Sequence, residues 1–267
     1  MEAIGGHGVP GAPESYWLAS SPGTGYPPLE GEVETDVVIV GGGFAGIISA
    51  LFLKEAGFKV AVIEARRILT GVTGNTTAKI TSLHRLVYAN LVKSLGQEKA
   101  RQYADANQAA IEKLAALVEA RKIPCDFSRL PFYVYAADRK DVPRLEQEVK
   151  AAQSVGLEAS FVDEVALPFA TAGAIRLDNQ AQFHPLKFLR EIARSLPGEG
   201  SHIFENSRVI RMDHGPVCRA STDKGRVKAR YAVVATNFPV LDREGFFYAR
   251  LQPARSYAIA GMTDRAF

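Results

Sequence analysis

Residues 35–64 read TDVVIVGGGFAGIISALFLKEAGFKVAVIE, and the fold is decided there. Thr35–Val40 is a run dominated by β-branched residues, with no polar alternation. A strand of that kind is covered on both faces, as the strands of a parallel sheet are. Gly41, Gly42 and Gly43 break the run. The next segment, FAGIISALFLKEAG, sets Ile47 against Leu51 and Ile48 against Phe52 at the i, i+4 spacing of a helix, and Gly57 supplies its stop. Lys59–Glu64 (KVAVIE) is a second buried strand. Strand, helix and strand succeed one another within about thirty residues, the length of a β-α-β unit.

Gly41, Gly43 and Gly46 form GxGxxG between the first strand and the helix, the setting that gives this pattern meaning. Gly41 allows the tight turn, Gly43 lets a pyrophosphate approach the backbone, and Gly46 lets the helix pack closely on the strand. The helix N-terminus then offers amides and partial positive charge to the phosphates. Glu64 closes the second strand, roughly 20 residues beyond the glycines, where a carboxylate accepts hydrogen bonds from ribose hydroxyls. The same charge repels a 2′-phosphate, which argues against NADP. The pattern predicts a dinucleotide site and does not choose between NAD and FAD.

Outward from this unit, residues 1–32 are rich in Gly and Pro and read as an irregular arm anchored by Tyr16 and Trp17. No basic start precedes an apolar run, so a signal peptide is not expected. No stretch approaches the ~20 apolar residues of a membrane span, and a cytoplasmic location is expected. Ala65–Leu83 (ARRILTGVTGNTTAKITSL) lacks a period and reads as a long functional loop. Helices are predicted over 84–95, over 98–121 with Tyr103, Ala110, Leu114 and Leu117 on its stripe, and over 139–155 with Asp138 as cap. A further helix runs from Pro185 to Leu196, its entry fixed by His184. Strands are predicted over 132–136, 159–162 and 174–177. An antiparallel meander comes next over 207–212, 217–222 and 225–230, then a buried parallel strand over 231–236 (YAVVAT) and more strand over 250–262.

Apolar residues make up 47% and charged residues 23%, a globular balance, and the net charge of +3 is too small to argue for nucleic acid or an anionic surface. Cys125 and Cys218 have no ligand-spaced neighbours and read as two buried thiols, and the five histidines show no metal spacing, so no metal is expected. Asp138, Asp141, Glu146 and Glu148 read as a solvated helix face. Tyr133 and Tyr135 share one strand face, and Arg255 and Tyr257 another; each face suits a substrate pocket or ordinary packing. No Ser-His-Asp or Cys-His arrangement argues for hydrolysis.

The segments beyond the fingerprint separate FAD from NAD. A polar Thr/Gly loop and long helices intervene, and nucleotide-domain strands return only after residue 200. This layout, with DVVIVGGGFAG, VIEARR, GVTGNTTAKIT, NQAQFHPLKFL, SRVI and YAVVATN, resembles the FAD-dependent oxidoreductases of the D-amino-acid oxidase and glycine oxidase type. SYW with GNTTAKIT and QAQFHP resembles, more narrowly, a bacterial subgroup that often carries a C-terminal Rieske iron–sulfur domain.

The resemblance implies an α/β fold in which a Rossmann-like FAD-binding domain (33–84 and 182–240) is interleaved with an α+β substrate domain (85–181 and 241–267), incomplete at the C-terminus. It implies that Gly41, Gly42, Gly43, Phe44, Ala45 and Gly46 hold the pyrophosphate. Glu64, Ala65 and Arg66 or Arg67 lie at the ribose. Thr73, Gly74, Thr76, Thr77, Ala78 and Lys79 pass under the ribityl chain and flavin ring, Val209 meets adenine through its backbone, and Ala235 and Thr236 pack near the cofactor. Lys79, between apolar Ala78 and Ile80 and so expected to be partly buried, is the candidate for steadying negative charge on the ring. His84 is a second candidate for the reaction, or a core histidine. The expected activity is oxidation of a C–N bond in an amine or amino acid by hydride transfer to flavin, with oxygen, a quinone or a Rieske centre as electron acceptor. The alternatives are a flavin electron-transfer component partnered with a Rieske centre and a non-catalytic nucleotide-binding fragment. The strand and glycine turn that cover the flavin in similar chains have no match here, and a fragment is therefore expected.

Overall fold

The computed structural model describes residues 13–240, 245–254, 256–258 and 261. In chain order the elements are α1 (Tyr16–Ala19), β1 (Gly31–Val40), α2 (Phe44–Glu55), β2 (Val60–Ile63), β3 (Lys79–Ile80), α3 (Tyr88–Leu95), α4 (Gln97–Ala120), β4 (Ser128–Ala136), α5 (Val142–Ser154), β5 (Ala159–Val162), β6 (Gly173–Gln182), α6 (Pro185–Arg194), β7 (His202–Phe204), β8 (Arg211–Asp213), β9 (Cys218–Ser221) and β10 (Gly225–Val234). They form two compact units, divided between Thr76 and Thr77 and again between Phe188 and Leu189.

The first unit holds a six-stranded sheet in the order β7-β2-β1-β10-β9-β8. β1 runs parallel to both β2 and β10, and β7 extends the parallel set beyond β2. β9 and β8 then pair antiparallel, as the meander predicts. Val38 and Val40 join Ala61, Ile63 and Val227 in a core on one face. Val37 and Ile39 are equally buried on the other, where α2 packs with Ile47, Ala50 and Leu51. Coverage of both faces is the reason these strands are uninterrupted apolar runs. Helix α2 ends as expected, with Gly57 at φ +89° and the Phe58 amide donating to the Leu53 carbonyl.

The structure corrects the sequence pattern at several points. Residues 225–236 read as two strands, but 225–234 is one strand, in register with β1 from Gly31 to Val40. Its apolar second half is not buried: Tyr231 is 45% and Val234 54% exposed, because β9 pairs only with Arg226–Ala229 and reaches no further. Ser207–Ile210 is loop rather than strand, and the described residues of 251–262 are not strand either. Arg255 lies outside the described residues. Cys125 is a buried free thiol, but Cys218, on β9, is only half-buried. The N-terminal arm is not wholly irregular, since Ser15 caps the short α1.

The second unit is an antiparallel sheet, β3-β6-β4 with β5 also on β6, covered by helices. Phe132 and Val134 face its core, so Tyr133 and Tyr135 share the opposite face as the alternation predicts. The buried stripe of α4 is Ala100, Ala104, Ile111 and Leu117; Ala110 is exposed. Asp138 makes no side-chain cap and pairs with Lys140 instead. His184 fixes the entry to α6 as expected, its Nδ1 accepting from the Lys187 amide at 3.3 Å.

The largest departure is Glu148. It is fully buried, not solvated. Its carboxylate accepts from the amides of Tyr88 (2.5 Å) and Ala89 (2.9 Å), capping α3 from α5. A carboxylate at a helix N-terminus meets unsatisfied amides and the positive end of the helix dipole. This cap also explains why α3 starts at Tyr88 rather than His84. We predict that Glu148→Ala, which removes the partner of the buried Tyr88 amide and of the part-buried Ala89 amide, lowers stability by about 3 kcal/mol in urea denaturation, with Glu148→Gln intermediate. Unchanged midpoints in both variants would contradict this role.

Candidate functional site

The site is built where β1 turns into α2. Gly41 lies at φ +109°, and a Cβ there would stand 2.5 Å from the Ala235 carbonyl oxygen, against which the turn is pressed. A Cβ on Gly46 would come within 1.9 Å of the Gly41 oxygen, so the helix can close on the strand only with glycine at 46. The amides of Phe44, Ala45 and Gly46 precede the first intrahelical bond, Ile47 N to Gly43 O. Thr73 Oγ1 accepts from the Phe44 amide at 2.9 Å.

Glu64 comes directly after β2. Its Oε2 accepts from the Gly42 amide at 2.8 Å and its Oε1 from the Arg66 amide at 3.0 Å. Two backbone donors thus aim the carboxylate, and each oxygen keeps lone-pair capacity for a further donor. The Ser207 amide donates to the Glu64 carbonyl and the Asn206 amide to the Arg66 carbonyl, which lays residues 206–209 beside the end of β2. Buried Glu205 accepts from Tyr26 N (3.0 Å), Ile68 N (2.9 Å) and the Thr24 hydroxyl, and so ties that wall to the N-terminal arm.

These parts enclose a cavity of about 900 Å³. Of the residues predicted from sequence, Gly41, Gly43, Phe44, Ala45, Glu64, Ala65, Thr73, Val209, Ala235 and Thr236 line it together. Gly42 and Gly46 stand behind that lining and shape it. Arg66 and Arg67 are exposed, with the Arg67 guanidinium lying over Gly23. Gly74 is buried behind the Thr73 turn, and Thr76 is exposed. Leu69, Gly71, Ser207, Arg208 and Asn237 also line the cavity; all but Leu69 lie in the stretches GVTGNTTAKIT, SRVI and YAVVATN, but the sequence pattern assigns none of them a role. Arg208 stands next to Val209 inside the SRVI stretch, so a charge is legible there, but only the fold shows that it borders the cavity.

Thr77, Ala78, Lys79 and His84 belong to the second unit. Lys79 is exposed, not partly buried, and its Nζ donates to Thr77 Oγ1 at 2.9 Å. His84 Nδ1 shares a 2.9 Å hydrogen bond with the Tyr103 hydroxyl. Partial burial, then the charge of Lys79, holds the imidazole below its ordinary pKa and favours its neutral form. Among the described residues no group of His, Cys, Asp and Glu could hold a metal ion, and no helix is long and apolar enough to cross a membrane.

The model of the family described as FAD dependent oxidoreductase matches residues 36–263. The chain belongs to the FAD-dependent oxidoreductase family. FAD is the cofactor of that family, and the glycine cradle, the helix N-terminus and the aimed Glu64 carboxylate are groups that suit it. Among curated relatives of this family member, a protein named as a Rieske 2Fe-2S iron–sulfur protein, YhfW of Bacillus subtilis, is 33% identical over 93% of the chain and 49% of its own length. Gamma-glutamylputrescine oxidoreductase of Escherichia coli is 29% identical over 84% of the chain and 54% of its own length. The chain thus spans about half the length of these relatives. Among solved structures, glycine oxidase from Geobacillus kaustophilus matches with a TM-score of 0.61 at 18% identity, over 76% of the chain and 55% of the oxidase. An L-amino acid deaminase from Proteus myxofaciens matches with a TM-score of 0.61 at 19% identity, over 84% and 49%. These likenesses agree on the fold.

Gly46→Ala is expected to force α2 off β1, since the opposing atom is backbone and has no rotamer to yield. A loss of about 2 kcal/mol or more in denaturant unfolding is predicted; a fully stable Gly46→Ala chain would show that the close approach is not required.

Proposed function

We propose that this chain supplies the nucleotide-binding half of an enzyme that oxidises a C–N bond in an amine or amino acid with FAD. The observation that carries the cofactor half is the cavity of the first unit, where the GxGxxG turn and the Glu64 carboxylate meet. The names of the relatives support the substrate class, since they include an amine oxidoreductase and amino-acid oxidases. In this reading Gly41, Gly43 and Ala45 admit the pyrophosphate to the end of α2. Glu64 takes the ribose hydroxyls and repels a 2′-phosphate. Val209 offers its backbone to adenine, and Ala235 and Thr236 wall the cofactor at the end of β10.

When bound, FAD would supply the hydride acceptor for oxidation of the carbon next to the substrate nitrogen, and hydrolysis of the resulting C=N bond would need only water. The substrate nitrogen must be unprotonated for that hydride to leave. Within the second unit, His84 is the candidate acceptor for that proton and Lys79 the candidate positive charge for the reaction. Oxygen, a quinone or a Rieske centre would serve as the electron acceptor, and the relative bearing a Rieske name supports the last.

Fluorescence titration of the chain with FAD, NAD and NADP tests this reading. FAD is expected to bind, NADP is not, and Glu64→Ala is expected to weaken FAD about tenfold. Bleaching of the bound flavin by one of a panel of amines and amino acids under anaerobic conditions identifies the substrate. Uptake of FAD without bleaching by any of them favours an electron-transfer component, and no uptake at all contradicts the proposal.

A further inference from the structure

The SYW stretch of the N-terminal arm does not line the cavity, yet it grips the turn that carries Thr73. Ser15 caps α1, accepting from the Leu18 amide at 3.2 Å, and its hydroxyl donates to the Gly74 carbonyl. The Trp17 indole Nε1 donates to the Thr76 carbonyl at 2.7 Å. Leu18 packs on Gly74 so closely that a Cβ there would meet its Cδ2 at 3.0 Å and the Leu69 carbonyl at 2.7 Å. The carbonyls on either side of Asn75 are therefore held by the arm.

The same turn is tied to the glycine loop. The Leu69 amide donates to the Gly42 carbonyl at 3.0 Å, and the Phe44 amide to Thr73 Oγ1 at 2.9 Å. A hydroxyl that accepts from an amide at a helix N-terminus keeps its own proton to donate, and acceptance strengthens it as a donor. Thr73 lines the cavity, so that proton is available to a phosphate oxygen.

We propose that Ser15 and Trp17 are positioning residues for the cofactor site: by clamping the Gly74 and Thr76 carbonyls they hold the Thr73 hydroxyl on the end of α2. The proposal rests on the FAD reading above for its ligand, and on the arm–turn contacts for its geometry. Residues far ahead of the fingerprint in sequence thus set how tightly the pyrophosphate end of the cavity binds.

Amide hydrogen exchange in the full chain without FAD tests the geometry. Trp17→Phe and Ser15→Ala are expected to speed exchange about fivefold at residues 42–47 and 71–76 while leaving β2 protected, and Ser15→Thr, which keeps the hydroxyl, is expected to restore protection. General loss of stability would speed exchange in β2 as well, and that pattern, or no change at 42–47, overturns the clamp. FAD titration tests the consequence. Trp17→Phe and Thr73→Val are each expected to raise the Kd about five- to tenfold, and the double variant no more than Thr73→Val alone. Additive effects overturn the route through Thr73. A wild-type chain that binds no FAD overturns the cofactor assignment and with it the ligand named here, an outcome distinguishable from failure of the clamp because exchange is read without FAD. Trp17 is the sequence's only tryptophan, so its emission tracks the clamp directly in every variant that retains it.

Discussion

Helix α2 approaches the β1 turn so closely that one methyl group at position 46 would stand 1.9 Å from the Gly41 oxygen. Everything else in the first unit depends on that approach. It places the Phe44 amide against Thr73 and the turn against Ala235, and it leaves the end of α2 open beside Glu64. The parallel sheet supplies the rigid floor, because β1 is hydrogen-bonded on both sides and packed on both faces. At the glycine turn the site is made of backbone, and substitutions there harm it by adding atoms, whereas Glu64 and Thr73 contribute side-chain groups.

Two buried carboxylates perform related work in the two units. Glu205 collects donors from the N-terminal arm and the Ile68 amide, and Glu148 collects the first amides of α3. In each case a side chain from one segment satisfies backbone groups of another that would otherwise be buried without partners. Both act as fasteners between stretches distant in sequence. The arm that begins at α1 is held in this way along the wall of the cavity, which makes it part of the first unit rather than a tail.

How much is legible in the sequence depends on the range of the interactions concerned. Val37–Val40, the three glycines, α2 and Glu64 interact within one β-α-β unit, and their pattern alone tells strand from helix and places the acid. Glu148 looks solvated because its neighbours Glu146 and Lys150 are exposed; its burial depends on amides sixty residues away, which no local pattern records. The exposed half of β10 misleads for the same reason, since an apolar run reports a strand's propensity and not whether a neighbouring strand reaches it. The apolar neighbours of Lys79 suggest partial burial, but on a two-residue strand alternation turns it outward. Within the site, Arg208 and Asn237 stand in stretches that the sequence marks, but their place on the cavity wall is set by loop geometry that the pattern does not record.

If the cavity beside Gly41 and Glu64 is an FAD site, the visible absorption spectrum of the purified chain shows it most directly. The chain is reconstituted with FAD, freed of excess, and measured before and after denaturation. The predicted result is a flavin spectrum perturbed in the folded chain, restored to that of free FAD on unfolding, and lost in Gly46→Ala. A chain that folds, as judged by cooperative unfolding, yet retains no flavin would contradict the assignment.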